Sequence, residues 1–564
     1  MQECSAGWAN GHCHRRTAQG VTFVRTAAPQ WSGSGPEDIE LEHDDQPGGW
    51  WNEAVIYQIY PRSFADSDDD GTGDLEGIVG ALPYLSDLGV DAIWLSPTQP
   101  SPMADFGYDV ADYCGIDPVF GTLDGFERLV AATHEAGMRL VMDYVPNHTS
   151  DQHPWFTAAR SGPEDPKRDW YVWRDPGPDG GPPNNWRAAF SDSPAWTLDD
   201  RSGQYYLHLF LSEQPDLNWE NPAVREAMAD VLRFWMDLGV DGFRADVVHA
   251  IGKGQDLPDA SEDLAGLPAC IFDQGPGTHD AIRLLRRVVD GDEPGVHLLL
   301  GETAVFDRGQ QLSYLGRGDE LHLGFNFLAL HTAWEADRWR AELDAAYEGH
   351  DAIGAWPTWV LSNHDVPRHR SRYGSDARAR AAAVLLLTLR GTPFLYQGEE
   401  LGLSDAVVPP DRVLDPGGRD GCRAPVPWTR DETGGWGPQS WLPPPPNAAE
   451  LSVAAQSGDG SSMLEHYRSL LELRRRCDVL RRGTIELLDS PTGTLRYRRS
   501  IGGAVNGPTD VEVAINFTDG PVDNAVSPGR TLATSIGESA GPATTTLGAD
   551  EARVVEVDGL RSGA

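Results

Sequence analysis

The sequence predicts an α/β fold: a (β/α)8 barrel of the TIM type, with a small inserted domain after strand 3 and a C-terminal antiparallel β-sandwich-like domain. Three observations carry this. From Trp50 onward, short apolar runs alternate with amphipathic stretches until eight runs have been counted. A Pro- and Gly-rich segment of roughly 70 residues interrupts the beat after the third run, too long for an ordinary βα connection. Beyond about residue 481 the period changes to alternation with turn residues between, the pattern of a half-buried antiparallel sheet.

Taken in order, residues 1–48 show no sustained period and read as a disordered extension. The barrel is expected over 49–148 and 219–480, the inserted domain over 149–218, and the C-terminal β domain over 481–564. Strands are predicted at 55–60, 92–96, 139–145, 242–248, 296–302, 321–327, 358–362 and 393–396. Helices are predicted at 75–88, 123–136, 223–238, 280–290 and 377–389, with a basic helix at 463–476 before the β domain. Strands alternating with helices close most simply as a parallel barrel. A doubly wound open sheet is the alternative, weakened because no Gly-rich phosphate loop follows the first run. In the last domain, 494–498, 511–517 and 552–557 alternate as strands and 533–546 reads as a loop.

Composition bounds the function. The 564 residues carry 45 Lys and Arg against 86 Asp and Glu, a net charge of -41 that repels nucleic-acid phosphates and favours neutral or cationic ligands. Only Lys167 and Lys253 are lysines, so arginine supplies almost all positive charge. The six cysteines have neither disulfide-framework nor zinc spacing, and Cys4, His12, Cys13 and His14 read as a polar tail in preference to a metal cluster. No apolar run approaches a membrane span and no secretory signal opens the chain, so the expected location is cytoplasmic, without a membrane partner.

In a barrel of this kind chemistry gathers where strands end. Strand three ends in Asp143-Tyr-Val-Pro-Asn147-His148, strand four carries Arg244-Ala-Asp246, strand five ends in Gly301-Glu302, and strand seven in Ser362-Asn363-His364-Asp365. Capping residues and solvated loop acids explain any one of these, but not acids with two histidines on strand after strand. Glycoside hydrolysis needs two carboxyl groups in different protonation states, a nucleophile and a proton donor. Arg244 and Asp246, two apart on a strand, face the same side, and the arginine is expected to keep the aspartate ionised.

These four blocks resemble the short conserved regions of the α-amylase family, glycoside hydrolase family 13. Gln214-Pro-Asp-Leu-Asn218 resembles the fifth region as found in the oligo-1,6-glucosidase and α-glucosidase subgroup, and Tyr57 to Phe64 and Tyr396 to Glu400 look like that subgroup too. The resemblance implies Asp246 as nucleophile, Glu302 as general acid/base and Asp365 as transition-state stabiliser. It implies that His148 and His364 bond sugar hydroxyls, that Arg244 orients the nucleophile and that Phe190 forms an aromatic wall. Asp105 and Tyr108 match residues that shape the pocket end, and Arg419 matches the arginine that pairs with that aspartate. Such a pair would confine the site to one terminal glucose of a small α-glucoside. Cys422 departs from the subgroup's usual run beside Arg419, and the stretch before it is short.

The run Asp66, Asp68, Asp70, Thr72 and Asp74 places oxygen ligands at alternate positions around a glycine turn, a calcium-loop pattern without the closing Glu of an EF-hand. An acidic solvated loop is the alternative; the resemblance implies a structural Ca2+ or Mg2+ there, and no cofactor for catalysis. Val247, after the nucleophile, resembles the subgroup's α-1,6 type, though one methyl group shifts discrimination by only about 1–3 kcal/mol. Two rivals stand beside hydrolysis of terminal α-1,6- or α-1,4-linked glucose. One is a transglucosidase or isomerase of trehalose synthase or sucrose isomerase type, although no Arg-rich isomerase loop follows strand six. The other is a non-catalytic transporter heavy chain, which the three acids and the absent span disfavour.

Overall fold

The computed structural model describes residues 49–557 apart from 191–192, 255, 273–274, 276, 306 and 538–543. The extension 1–48, with Cys4, His12, Cys13 and His14, lies outside the described residues, as do the last seven positions.

All eight predicted barrel strands form: β1 (Ile56–Ile59), β2 (Ala92–Leu95), β3 (Arg139–Tyr144), β7 (Gly242–Ala245), β8 (Leu298–Gly301), β9 (Leu323–Gly324), β10 (Thr358–Val360) and β11 (Thr392–Tyr396). They pair parallel in the order β10-β11-β1-β2-β3-β7-β8-β9. At the seam between β9 and β10 a side chain replaces the ladder: Thr358 Oγ1 donates to Gly324 O at 2.8 Å and accepts from Asn326 N at 3.2 Å. The sixth strand is shorter than predicted because Asn326 ends it, its side chain capping Ala329 N of the turn Phe327–Leu330.

Both faces of these strands are buried, which is why they read as apolar runs. Ile56, Trp94, Val141, Leu300, Phe325, Val360 and Phe394 fill the barrel interior. Their neighbours Tyr57, Ile93, Leu140, Phe243, Leu299 and Leu395 face outward into the core shared with the helices. The helix Leu75–Leu88 begins where the Asp74 side chain accepts from Gly77 N and stops at Gly89, whose φ of 98° a side chain would strain. Leu123–Glu135, Pro222–Asp237, Thr278–Asp290 and Asp376–Thr388 follow their predicted spans within two residues.

Between β3 and β7 lies a small antiparallel sheet of β4 (Trp173–Arg174), β6 (Gln204–Leu207) and β5 (Trp196–Asp199), in that order. The loop after β7 buttresses it: Asn184 Nδ2 donates to Leu257 O (2.9 Å) and Trp186 Nε1 to Pro258 O (2.9 Å). Near the C-terminus, β12 (Thr484–Leu488), β13 (Thr494–Ser500), β14 (Asp510–Asn516), β16 (Ala552–Glu556) and β15 (Arg530–Thr534) form an antiparallel sheet in that order. Residues 533–534 therefore close a strand and do not belong to the predicted loop. One sheet face, with Leu495, Tyr497, Val513 and Ile515, packs into the main core; the other, with Ala514 and Val555, packs on Val526 and Leu547. No helix among the described residues is long and apolar enough to cross a membrane.

Arg499 staples that sheet to the barrel. Fully buried, it donates to the carbonyls of Thr388 (2.6 Å), Leu480 (3.0 Å), Gly483 (2.8 Å) and Thr484 (3.0 Å), and burial pushes its pKa down to about 10. Arg499→Met should leave these acceptors unpaired and cost roughly 2–4 kcal/mol, read as a lower urea midpoint; an unchanged midpoint would show that the staple carries no stability.

Candidate active site

The strand ends meet in a cavity of about 240 Å³ whose lining includes Asp105, Tyr108, His148, Phe190, Asp246, Glu302, Asp365 and Arg419. Arg244 and His364, each 1% exposed, stand directly behind the lining.

Three strands each deliver a carboxylate to Arg244. Its Nη1 donates to Asp246 Oδ1 at 2.7 Å and to Asp143 Oδ1 at 2.9 Å, while Nη2 lies 2.7 Å from Glu302 Oε2. One guanidinium is thus divided among three buried acids. The expectation that Arg244 keeps Asp246 ionised meets this competition: burial first, then Glu302 and Asp143 beside it, raise Asp246 well above the usual carboxylate range, and burial lifts Asp143 to about 6. The cluster therefore favours holding a proton more than free carboxylates do. Val247 follows Asp246 in a left-handed conformation (φ 44°), strained for a β-branched residue, and this turns its N–H onto Glu302 Oε2 at 3.0 Å.

A polar chain runs away from that cluster. The Tyr108 hydroxyl donates to Asp143 Oδ2 (2.9 Å) and lies 2.6 Å from His364 Nε2, with the two rings stacked. Gln58 Nε2 donates to His364 Nδ1 at 2.7 Å, and His364 Nε2 is 3.2 Å from Asp365 Oδ2. His364, expected to meet sugar hydroxyls, is placed to hold Tyr108 and Asp365. Although burial alone would raise Asp365, His364, Arg419 and Arg423 hold its carboxyl well below the usual range.

The pocket end is closed as predicted by Arg419, which reaches Asp105 Oδ1 at 2.5 Å and Asp365 Oδ1 at 3.0 Å and lies over the Phe190 ring at 4.4 Å. Asp415, singled out by no motif, fixes that guanidinium by accepting from Arg419 Nη2 (2.6 Å) and Nε (3.0 Å). It also accepts from Arg423 Nη1 at 3.2 Å, and Arg423 Nη2 reaches Asp365 at 3.3 Å. The spacing Asp415, Arg419, Arg423, four residues apart each time, was the available signal. Gln214 ties the inserted sheet to the pocket, with its Nε2 donating to Asp105 Oδ2 (3.1 Å) and 3.0 Å from His148 Nε2. Behind His148, Lys253 donates to Asn147 Oδ1 (2.8 Å) and pairs with Asp216 (3.1 Å). Cys422 fits its place because its Sγ donates to His364 O at 3.4 Å.

At the predicted cation loop, carboxylates of Asp66, Asp68 and Asp74 converge within 4.8 Å. Asp70 is not among those converging carboxylates; its Oδ1 accepts from Thr72 N at 2.7 Å within the same loop.

The family description "alpha amylase, catalytic domain" matches residues 58–483. The chain belongs to the α-amylase family. It is 42% identical over 490 residues to a probable alpha-glucosidase of Rhizobium meliloti (strain 1021), covering 80% of this chain and 87% of that one. It is 38% identical over 509 residues to an oligo-1,6-glucosidase of Parageobacillus thermoglucosidasius, covering 80% and 88%. The solved structure of the alpha-glucosyl transfer enzyme XgtA superposes with a TM-score of 0.81 at 38% identity, over 90% of this chain and 99% of that one.

Buried histidines, two of them at the site, give stability a dependence on pH. Burial lowers His148 and His364 at the site to about 3; elsewhere it lowers His153 and His369 to about 3 and His331, His350 and His466 to about 4. Below their ordinary 6.5 the unfolded chain binds protons that the folded chain refuses, so stability is lost as pH falls from 6.5 towards 4, by about 1.4 kcal/mol per pH unit for each proton. Carboxyls raised when folded, Glu399 to about 8, Asp143 to about 6 and Asp246 well above its usual range, oppose this and reduce its size. The urea midpoint should drop between pH 7 and pH 5; a rise would contradict the histidine assignment.

Proposed function

We propose that the protein is an exo-acting retaining α-glucosidase that removes terminal α-linked glucose from short oligosaccharides through a glucosyl-enzyme intermediate. One observation carries the reading: Asp246 and Glu302 occupy neighbouring amino groups of one buried guanidinium at the pocket floor. Side by side in this way, one carboxyl can attack while the other handles the proton. The names of the relatives, alpha-glucosidase and oligo-1,6-glucosidase, support the substrate class.

In the first step an Asp246 carboxylate oxygen attacks C1 while Glu302 gives its proton to the glycosidic oxygen, and the aglycone leaves. In the second, Glu302 takes a proton from water, whose oxygen attacks C1 and frees Asp246, releasing α-glucose. The step needs Asp246 bare and Glu302 protonated, so the proton that the buried acids favour must rest on Glu302 when sugar is bound. Asp365, held anionic by its arginines, stabilises the cationic sugar transition state. Arg419 closing onto Asp105 supports cleavage from the chain end. Val247 against the pocket supports a lean towards α-1,6 bonds without excluding α-1,4. The Asp66, Asp68 and Asp74 oxygens fit a structural Ca2+ or Mg2+ remote from the chemistry. Transfer of the glucosyl group to a sugar is the second reading, favoured by the likeness to XgtA.

Glu302→Gln should lower kcat/KM on maltose and isomaltose by about 10²- to 10⁴-fold while barely slowing formation of the intermediate from an activated aryl α-glucoside. Proton NMR of wild-type hydrolysis should show α-glucose first. Equal losses on both substrate types, or β-glucose first, would overturn the assignment.

A further inference from the structure

A second cavity, of about 230 Å³, opens at the opposite end of the barrel from the catalytic rim. Glu53 and Asp91 lead into β1 and β2 there, Arg139 begins β3, Arg474 and Arg475 end the helix Met463–Arg476, and Arg481 lies in the short helix Asp478–Arg482 that follows. Four arginines around one cavity are notable in a chain of net charge -41.

Two of the four are already neutralised. Arg139 pairs with Asp241 at 3.0 Å, and Arg481 with Glu53 at 3.0 Å and Asp478 at 2.7 Å. The other two are not. Arg474, only 2% exposed, spends its amino groups on the carbonyls of Leu387, Leu480 and Gly391, each at 3.0 Å. Its Nε has no partner, and it makes no ion pair among the described residues. Burial and the neighbouring Arg499 push it down to about 9, the behaviour of a cation short of negative charge. Arg475 makes no hydrogen bond or ion pair among the described residues. Its Nη2 lies beside Gly89, 2.6 Å from where a Cβ on that glycine would stand. Against these two stands Asp91, one of whose oxygens is committed to Val55 N at 2.8 Å. One positive charge is left over between Arg474, buried where a charge ordinarily has a partner, and the exposed Arg475.

We propose that this cavity binds a small oxyanion, a free phosphate or the phosphate group of a sugar phosphate, held chiefly by Arg475 with Arg474 behind it. Guanidinium forks match the oxygens of such a group. The cavity lies below the strands whose upper ends carry the catalytic acids, so the anion would not compete with a glucoside.

The test is calorimetric titration of the full-length protein with inorganic phosphate, sulfate and glucose 6-phosphate at low salt, for wild type and for Arg475→Glu. Wild type should bind one phosphate per chain, and the variant should bind at least about tenfold more weakly. The variant's kcat/KM on maltose should be unchanged, which separates this site from the glucosidase reading. Tighter binding of glucose 6-phosphate than of phosphate would identify a sugar phosphate as the occupant; equal binding would identify the free oxyanion. Absence of saturable binding, or binding that Arg475→Glu leaves intact, would overturn the proposal.

Discussion

The catalytic end of the molecule depends on one buried cation shared among three acids. β3 brings Asp143 and β7 brings Arg244 with Asp246 just beyond it, while Glu302 follows β8; parallel register sets Asp143 against Arg244 and Ala245 against Gly301. The barrel converts adjacency of strands into adjacency of charges. A lone guanidinium cannot satisfy three carboxylates in a low dielectric, so the cluster keeps a proton and is poised to move it. That poise, and not simple ionisation of Asp246, is what the geometry supplies to acid/base chemistry.

A second charge system faces the first. Arg419 and Arg423, fixed by Asp415, hold Asp365 anionic, and Arg419 also closes on Asp105. Tyr108 and His364 connect the two systems, touching Asp143 on one side and Asp365 on the other. Neighbouring carboxyls are thus driven in opposite directions, Asp246 towards its acid and Asp365 towards its anion; cleavage needs the proton of the first cluster on Glu302 and the charge on Asp246.

Much of this was legible in the sequence because its signals are periodic. Strands buried on both faces read as apolar runs, and the acids stand one or two residues beyond them. What escaped was set by contacts between distant segments. Asp415 lies in an irregular loop, and Lys253 meets Asp216 and Asn147 only after the loop beyond β7 folds over the inserted sheet. β12 and β15 are edge strands with mixed exposure, so neither shows clean alternation. The alternating oxygens after Asp66 suggested five ligands; three carboxylates, of Asp66, Asp68 and Asp74, converge, while Asp70 accepts a backbone N–H within the loop, as Asp side chains do in local turns.

The central claim is that Asp246 carries the sugar. Trapping answers it directly: a 5-fluoro-α-glucosyl fluoride forms the intermediate quickly and releases it slowly, and peptide mass spectrometry locates the bound sugar. The account predicts one fluoroglucosyl group, esterified to Asp246. A label on Glu302 or Asp365, or turnover with no covalent species at all, would contradict it.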